Sequence, residues 1–226
     1  GDFNVWDGRR TPMRRRGASH HLPATGLFLK SVRHSVPYTR GERGTMNVVN
    51  PTGPMGQAVK SEDFVQAMGA AATGVTVVTT AGVAGRFGLT VSALASVSAE
   101  PPLLLVCVNR RNPCVAAITQ NGRFAVNILA QSQSEVARIF SGRPIRGEAY
   151  DFGRHGWEFG AAGMPVLPGA AAHFECETET IHDAGTHRIF IGRVIVAERG
   201  SEPPLIYSNR SYGRLMPLSG EDVAED

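Results

Sequence analysis

The chain has 226 residues, of which 42% are hydrophobic, so it can build one sizeable core and favours a single folded domain. No apolar run approaches the roughly 20 residues of a membrane-spanning helix, and Cys107, Cys114 and Cys176 form no CxxC pair. A membrane span, a disulfide framework and a structural zinc site are therefore not expected. We expect a soluble protein of the reducing cytoplasm.

The net charge of +3 is unevenly distributed along the chain. Residues 1–60 carry ten Lys and Arg against three Asp and Glu, whereas residues 61–226 carry thirteen against seventeen. We therefore expect a disordered basic extension over residues 1–60, a folded domain over 61–216 and an acidic tail over 217–226. Binding of RNA by the basic extension stays open as an alternative, but the mildly acidic domain does not favour nucleic acid. Met46 is a candidate for the biological start of the protein, in which case residues 1–45 would be a tag or upstream-derived sequence.

The folded part begins with a helix and two strands. Ser61, followed by two carboxylates, is typical of a helix start, and apolar residues at helical spacing from Phe64 predict a helix that ends at Gly74 and packs onto the next elements of the chain. The β-branched residues 75–80 predict a strand. A Gly/Ala turn then leads to a second strand over residues 87–98, which we expect to be antiparallel to the first.

Two short helices and five more strands come after this pair. Asn112 with Pro113 predicts a helix start, and Ser132 with Glu135 has the spacing of a capping box. The alternating and β-branched patterns predict a mainly β fold, a closed antiparallel barrel with a few short helices. The predicted strands are 103–109, 123–129, 172–181, 187–199 and 204–208; the helices end near Gln120 and Ser141, and residues 142–169 are predicted to be a loop.

Several classes of active site lack their motif in this chain. No GxGxxG or GxxxxGK[ST] follows a strand, so Rossmann-type dinucleotide binding and P-loop chemistry are not expected. No GxSxG elbow of a serine hydrolase is present. His155, His173 and His182 do not have the spacing of metal ligands, so no metal site is expected.

The strand 87–98 is rich in hydroxyl groups. Thr90, Ser92, Ser96 and Ser98 are predicted to share one face of it. These hydroxyls can satisfy backbone groups at a strand edge, or they can bond the polar edge of a flat ring that lies against the strand. Spacing alone favours the first interpretation.

Three further places contain candidate binding residues. The loop from Asn109 through Arg110 to Cys114 precedes a helix, and a phosphate site and an ordinary basic turn are equally compatible with it. His187 lies at a strand start, either as a surface residue or as a nucleotide contact. Cys107 is expected to be inert packing, and the position of Cys114 near a helix start favours a lowered pKa, with neither thiol expected to be a nucleophile. Tyr207, Arg210, Tyr212 and Arg214 form a cluster that is either a solvated tail or a contact for nicotinamide and pyrophosphate.

Several of these segments, in this order, resemble the flavin reductase-like family, the small reductase components of two-component flavin-dependent monooxygenases. The resemblance covers residues 62–214 and rests on the following motifs: DFVQAMGAAATGVTVVTT, GLTVSALASVSAEPPLLLVCVNR, GRFAVNIL, RIFSG, the loop W..G..G.PVLPGA, FEC, GTHRIFIGRV and PLIYSNRSYG.

The resemblance implies a homodimer of split β-barrel subunits that bind FMN or FAD near the dimer interface. It implies that residues 90–93 line the isoalloxazine and that residues 107–114 approach the ribityl chain and phosphate. His187 matches the histidine of a GDH motif that lies close to NADH, although the motif reads GTH here, and Cys114 replaces a hydroxyl residue. The site residues implied or proposed are Thr90, Val91, Ser92, Ala93, Cys107, Asn109, Arg110, Cys114, Phe140, Ser141, Gly142, His187, Arg210 and Tyr212.

The function that the resemblance implies is reduction of FMN or FAD by NADH or NADPH, with hydride passing from nicotinamide C4 to flavin N5. The reduced flavin would then serve a separate oxygenase. The choice of flavin and of hydride donor stays open. A flavin-binding sensor or store without turnover is the alternative, because one fold can host several functions.

Overall fold

The computed structural model describes residues 56–217 of the chain. The predicted extension up to residue 55, with its arginine cluster and Met46, lies outside the described residues, as do residues 218–226 of the predicted acidic tail. No helix in residues 56–217 is both long and apolar enough to cross a membrane.

The first of the three helices in these residues differs from its prediction. It starts at Ser61 as expected but ends at Gly69 rather than Gly74, because Thr73 and Gly74 pair with a strand near the C-terminus. The expectation that it packs onto the next elements is wrong, since none of its residues is buried and Phe64 is 57% exposed. The helices are α1 (Ser61–Gly69), α2 (Cys114–Asn121) and α3 (Ser134–Phe140).

The two predicted helix caps have different outcomes. The side-chain Oδ1 of Asn112 accepts a hydrogen bond of 2.9 Å from the backbone N–H of Cys114, so the predicted cap of α2 is confirmed. The prediction of a capping box at the start of α3 is wrong, because no side chain of the described residues caps this helix. Glu135 instead forms an ion pair of 2.9 Å with Arg154, and a long-range partner thus replaces the local one.

The predicted mainly β class is confirmed. Seven strands form one antiparallel sheet in the order β3-β2-β6-β9-β10-β5-β4, β1 joins β11 and β12, and β7 pairs with β8. The strands are β1 (Thr73–Gly74), β2 (Thr76–Thr80), β3 (Phe87–Val91), β4 (Leu94–Ala99), β5 (Pro102–Asn109), β6 (Arg123–Ile128), β7 (Glu158–Phe159), β8 (Pro165–Val166), β9 (Ala172–Ala184), β10 (His187–Arg199), β11 (Leu205–Ser208) and β12 (Ser211–Arg214).

The predicted strand 87–98 is two strands, and this is the main correction to the fold. β3 ends at Val91 and pairs with β2, whereas β4 begins at Leu94 and pairs with β5 at the other end of the sheet. Ser92 and Ala93 connect the two strands, and the carbonyl of Ala93 accepts a hydrogen bond of 3.2 Å from the backbone N–H of Cys107 on β5. The connection curls the sheet into a barrel.

This break also corrects two smaller predictions. Thr90, Ser92, Ser96 and Ser98 do not share one face, because the chain leaves β3 before Ser92 and the pairing of β4 shifts between Ser96 and Ser98. The predicted loop 142–169 contains the β7–β8 hairpin, and β1 and β12 were not predicted.

The core has two main parts. One fills the inside of the barrel, where Val106, Phe124 and Phe190 are fully buried. The other lies between the barrel and α3, where Ile139 and Phe140 are buried. The second part supports α3, the helix that forms one wall of the candidate site.

Candidate active site

A cavity of about 590 Å³ opens beside β3, the end of α3 and the β11–β12 hairpin. A volume of this size lies within the range of small-molecule and cofactor sites. Six of the predicted site residues share it, namely Thr90, Val91, Ser92, Ser141, Arg210 and Tyr212. Its other lining residues are Val75, Arg138, Arg143, Tyr207 and Ser211.

The first wall of the cavity is formed by β3 and α3, which are in close contact. The hydroxyl of Thr90 donates a hydrogen bond of 2.8 Å to the carbonyl of Ala137 on α3. On the same strand, a Cβ at Gly88 would lie 2.9 Å from the ring of Phe140, so only glycine allows this approach. The hydroxyl of Thr90 therefore satisfies a backbone carbonyl, and its oxygen can still accept a hydrogen bond from a ligand.

Behind this wall lies an aromatic cluster. The ring of Phe140 packs edge-on against Phe152 at 4.8 Å and against Trp157 at 5.1 Å between centroids. Phe140 is 1% exposed and is not among the residues that line the cavity. The structure thus places it behind the site, where it supports the wall.

The β11–β12 hairpin forms the opposite wall. The rings of Tyr207 and Tyr212 pack at 5.4 Å between centroids. The turn between the strands places Asn209 and Arg210 at φ 48° and 61°, a region that non-glycine residues rarely adopt. The backbone N–H of Asn209 donates to the carbonyl of Gly69 at 2.7 Å, so the end of α1 holds the turn that presents Arg210.

The cavity has a positive electrostatic character. Arg138, Arg143 and Arg210 line it, and none of the described residues that line it is a carboxylate. Burial raises the pKa of the Tyr212 phenol, and the positive charge of Arg138 opposes this effect only in part. At neutral pH the phenol is therefore a neutral hydrogen-bond donor, and the arginines favour an anionic ligand.

The second group of predicted residues lies at a rim formed by the ends of β5 and β10. His187 is exposed and pairs with Asn109 across the two strands. The Thr186 hydroxyl lies 2.9 Å from His187 Nδ1. The Arg110 guanidinium donates to the carbonyl of Gly185 at 3.4 Å and lies 3.8 Å from the carboxylate of Asp183.

The guanidinium of Arg110 is therefore engaged with the β9–β10 turn. A second arginine, Arg188 at the start of β10, donates two hydrogen bonds to Asp183, at 2.6 and 3.1 Å. Those bonds are the main reason why the pKa of Asp183 is lowered, with the charge of Arg110 contributing. The hydrogen bond from Cys107 to Ala93 connects β5, which ends at the rim, to the residue after Ser92, which lines the cavity.

The two candidate cysteines are packing residues. Cys107 is half-buried on β5, and burial raises the pKa of its thiol. Cys114 is the first residue of α2 and is 1% exposed, and burial raises its pKa to about 12. The expectation of a lowered pKa at Cys114 is wrong, because desolvation of the thiolate outweighs the helix dipole at this buried position.

The residues after α3 close a tight turn. The Ser141 hydroxyl donates to the carbonyl of Arg138 at 3.0 Å, and the backbone N–H of Arg143 donates to the same carbonyl at 2.9 Å. Gly142 has φ 76° and lies beside the hydroxyl of Tyr150, at a place where a side chain would clash. This turn sets Ser141 and Arg143 at the mouth of the cavity.

Arg138 and Arg143 are the lining residues with clear chemical character that sequence reasoning missed. Arg138 lies three residues before Ser141, and this spacing places two residues of a helix on the same face. That spacing was the available signal. Tyr207 was grouped with Arg210 and Tyr212 as predicted, whereas Arg214 does not line the cavity. In residues 56–217 no three His, Cys, Asp or Glu side chains are grouped to hold a metal ion.

Comparison with known proteins identifies the family. The flavin reductase like domain matches residues 68–216, which is well over half of the chain. The chain belongs to the flavin reductase-like family. Over 170 residues it is 40% identical to the FMN reductase (NADH) RutF of Variovorax paradoxus, an alignment that covers 75% of this chain and 93% of that protein.

Solved structures agree with this assignment. One similar structure is the NADH:FAD oxidoreductase of Streptomyces globisporus in complex with NAD and FAD fragments, with 33% identity, a TM-score of 0.63 and coverage of 73% of this chain and 99% of that one. Another is BorF, the flavin reductase component of a bacterial two-component tryptophan halogenase, with 36% identity, a TM-score of 0.63 and coverage of 70% and 100%. The fold is the split β-barrel of these reductases.

Proposed function

We propose that this protein is an NADH-dependent flavin reductase that transfers hydride from nicotinamide C4 to flavin N5 in the cavity beside β3. The observation that carries the proposal is the convergence of Thr90, Ser92, Arg210 and Tyr212 in one cavity of a flavin reductase-like chain. Related proteins are an FMN reductase (NADH) and an NADH:FAD oxidoreductase, so both flavins are candidates.

The chemistry of the cavity fits direct hydride transfer. A bound flavin would supply the hydride acceptor, while the residues of the cavity contribute position and hydrogen bonds. No carboxylate among the described residues lines the cavity, and its phenol at Tyr212 stays neutral, so the site offers binding groups rather than a general base. The proposed contacts are Thr90, Val91, Ser92 and Ala93 for the isoalloxazine, Ser141 and Gly142 along the wall, and Asn109 at the rim. Four predicted residues are proposed to support these contacts from behind or beside the site, namely Phe140, Cys107, Cys114 and Arg110.

His187 is proposed to contact the nicotinamide nucleotide from the rim. In a His187→Ala variant we expect the KM for NADH to rise about fivefold, because one hydrogen bond is lost. The KM for flavin should be unchanged. The assay is oxidation of NADH or NADPH, followed at the nicotinamide absorbance band, with FMN, FAD or no flavin. His155→Asn is the matched control, because His155 is also exposed and Asn tolerates its φ of 65°.

The outcomes of this assay separate the hypotheses. Flavin-dependent oxidation by the unmodified protein supports the reductase, and an unchanged KM in His187→Ala removes only His187. Tight flavin binding without oxidation of either nucleotide would contradict the reductase and favour the flavin-binding sensor or store.

We further propose a homodimer, and one face of the sheet supports it. Along β5 the residues alternate between buried Leu104 and Val106, which face the core, and half-buried Leu103 and Leu105, which face outwards. Ile191 on β10 pairs with Leu105. An apolar outer sheet face of this kind is typical of an interface rather than of a solvated sheet. Leu105→Glu should convert a dimer to a monomer in light scattering; a monomeric unmodified protein would contradict the proposal.

The reduced flavin is proposed to leave for a separate oxygenase. The cavity is open to solvent, since the side chains of Arg138, Arg143 and Arg210 are exposed, and BorF is the reductase component of a two-component system. Flavin should therefore be lost when the loaded protein is passed through a desalting column; retention of a full complement of flavin would contradict its role as a diffusible product. The three free cysteines support a reducing compartment such as the cytoplasm.

A further inference from the structure

Arg138 is unusual among the cavity residues because its side chain both contacts an aromatic ring and lines the cavity. Its guanidinium lies over the ring of Tyr212, with 5.3 Å from Cζ to the ring centroid. Tyr207 also packs against that ring, at 5.4 Å between centroids. The Tyr212 ring is therefore packed against an arginine and a second tyrosine, and α3 is connected to the hairpin through this contact.

The same side chain lines the cavity. No carboxylate is present among the described lining residues to neutralise it, whereas Arg143 and Arg210 add to the positive charge. A guanidinium presents planar N–H groups in a fork whose geometry matches a phosphate group, and the contact with Tyr212 restricts where Arg138 can lie.

The backbone around Arg138 makes its position rigid. The preceding residue, Ala137, accepts the hydrogen bond from Thr90, and the carbonyl of Arg138 accepts bonds from Ser141 and Arg143. One residue thus contacts the hairpin by its side chain and closes the turn after α3 by its carbonyl.

We propose that the Arg138 guanidinium positions the Tyr212 ring through their contact and binds a phosphate of a bound substrate through its N–H groups. This inference rests on the proposed reductase function, in which FMN and NADH both carry phosphate. Arg138 is then a determinant of substrate affinity rather than of the hydride step, so its loss raises KM and leaves kcat nearly unchanged.

The test compares three variants. Arg138→Gln removes the charge, Arg138→Lys keeps the charge but loses the planar group, and Arg86→Gln is the matched control. Arg86 also stacks on an aromatic ring, that of Phe152 at 4.5 Å, but it does not line the cavity. Thermal denaturation of each variant checks that the fold is kept.

We expect Arg138→Gln to raise the KM for either flavin or NADH about tenfold, because a charge-assisted hydrogen bond is lost. Arg138→Lys should recover part of this loss, and Arg86→Gln should leave both KM values unchanged. Assays with FMN and with riboflavin, which lacks the phosphate, identify the source. A higher KM for FMN but not for riboflavin assigns the flavin phosphate. A higher KM for NADH with either flavin assigns the nucleotide pyrophosphate.

A second readout tests the contact with Tyr212. Removing the charge of Arg138 should raise the pKa of the Tyr212 phenol further, as measured by tyrosinate absorbance against a Tyr212→Phe reference. The proposal is overturned if Arg138→Gln leaves both KM values within about twofold, if Arg86→Gln causes the same loss, or if the phenol titrates unchanged. A failure of the reductase function itself is distinguishable, because unmodified protein would then not oxidise NADH, and equilibrium dialysis with FMN and riboflavin would still test Arg138.

Discussion

The cavity and the rim both contain arginines, but their surroundings differ. In the cavity, Arg138, Arg143 and Arg210 line a space that has no carboxylate among its described lining residues. At the rim, Arg110 and Arg188 both contact Asp183. Arginines without a neighbouring carboxylate are available to an anionic ligand, whereas arginines next to one shape the protein. The comparison teaches that the environment of an arginine, and not its presence in a motif, indicates its use.

The largest expected effect concerns the support of the cavity wall. Phe140→Ala removes a fully buried ring between Phe152 and Trp157, so we expect the free energy of unfolding to fall by about 3–5 kcal/mol. Urea denaturation followed by circular dichroism measures it. Phe159→Ala is the control, because Phe159 is 64% exposed and its loss should cost about 0.5 kcal/mol or less. Equal losses in the two variants would show that the wall does not depend on the aromatic cluster.

The second prediction tests the comparison of the arginines directly. Arg210→Gln should weaken the binding of FMN or NADH about tenfold, whereas Arg110→Gln should change it by less than about twofold, because the Arg110 guanidinium is already engaged with Gly185 and Asp183. Isothermal titration calorimetry with each ligand measures both variants. A larger loss in Arg110→Gln would reverse the roles of cavity and rim.

A smaller effect is expected where α3 meets β3. Thr90→Val removes the hydroxyl that donates to Ala137, so the free energy of unfolding should fall by about 1 kcal/mol. Thr76→Val is the matched control, since the Thr76 hydroxyl on β2 is buried without a hydrogen-bond partner among the described residues. Chemical denaturation should show this control to be neutral or more stable; a destabilised control would remove the hydrogen bond as the explanation.

The smallest effect is the pH dependence of the rim. Hydrogen bonds from Arg188 hold the pKa of Asp183 below its ordinary value. The pair therefore contributes stability above the unfolded pKa, and this contribution is lost as the pH falls through the folded pKa. Because both groups are exposed, the contribution is small. As the pH is lowered from neutral to acid, the melting temperature should decline less steeply in Asp183→Asn than in the unmodified protein. Identical profiles would show that the ion pair adds nothing to stability.

Local patterns predicted the fold well where neighbours in sequence decide it. The cap of α2 at Asn112 and the strands of the barrel follow from residues close in the chain. The break at Ser92 and Ala93 was not predictable, because it depends on pairing with β2 on one side and with β5 on the other. Alternation of polar and apolar residues continues across such a break and does not reveal it.

The site shows the same division. Spacing alone favoured a backbone role for the hydroxyls of Thr90 and Ser92, whereas the resemblance indicated a binding role, and both residues line the cavity. Arg138 was missed because its role depends on the ring of Tyr212, a residue 74 positions further along the chain. The predicted direction of the pKa shift at Cys114 was wrong. Burial, which the sequence does not show directly, outweighs the effect of a position at a helix start.

The connection of β3 to β4 has a mechanical consequence. Only Ser92 and Ala93 separate the two end strands of the sheet, so they act as the clasp of the barrel. Because Ser92 also lines the cavity, a ligand that contacts Ser92 would be bound by the folded barrel and not by the unfolded chain. By linkage, such a ligand would raise the melting temperature of the whole domain.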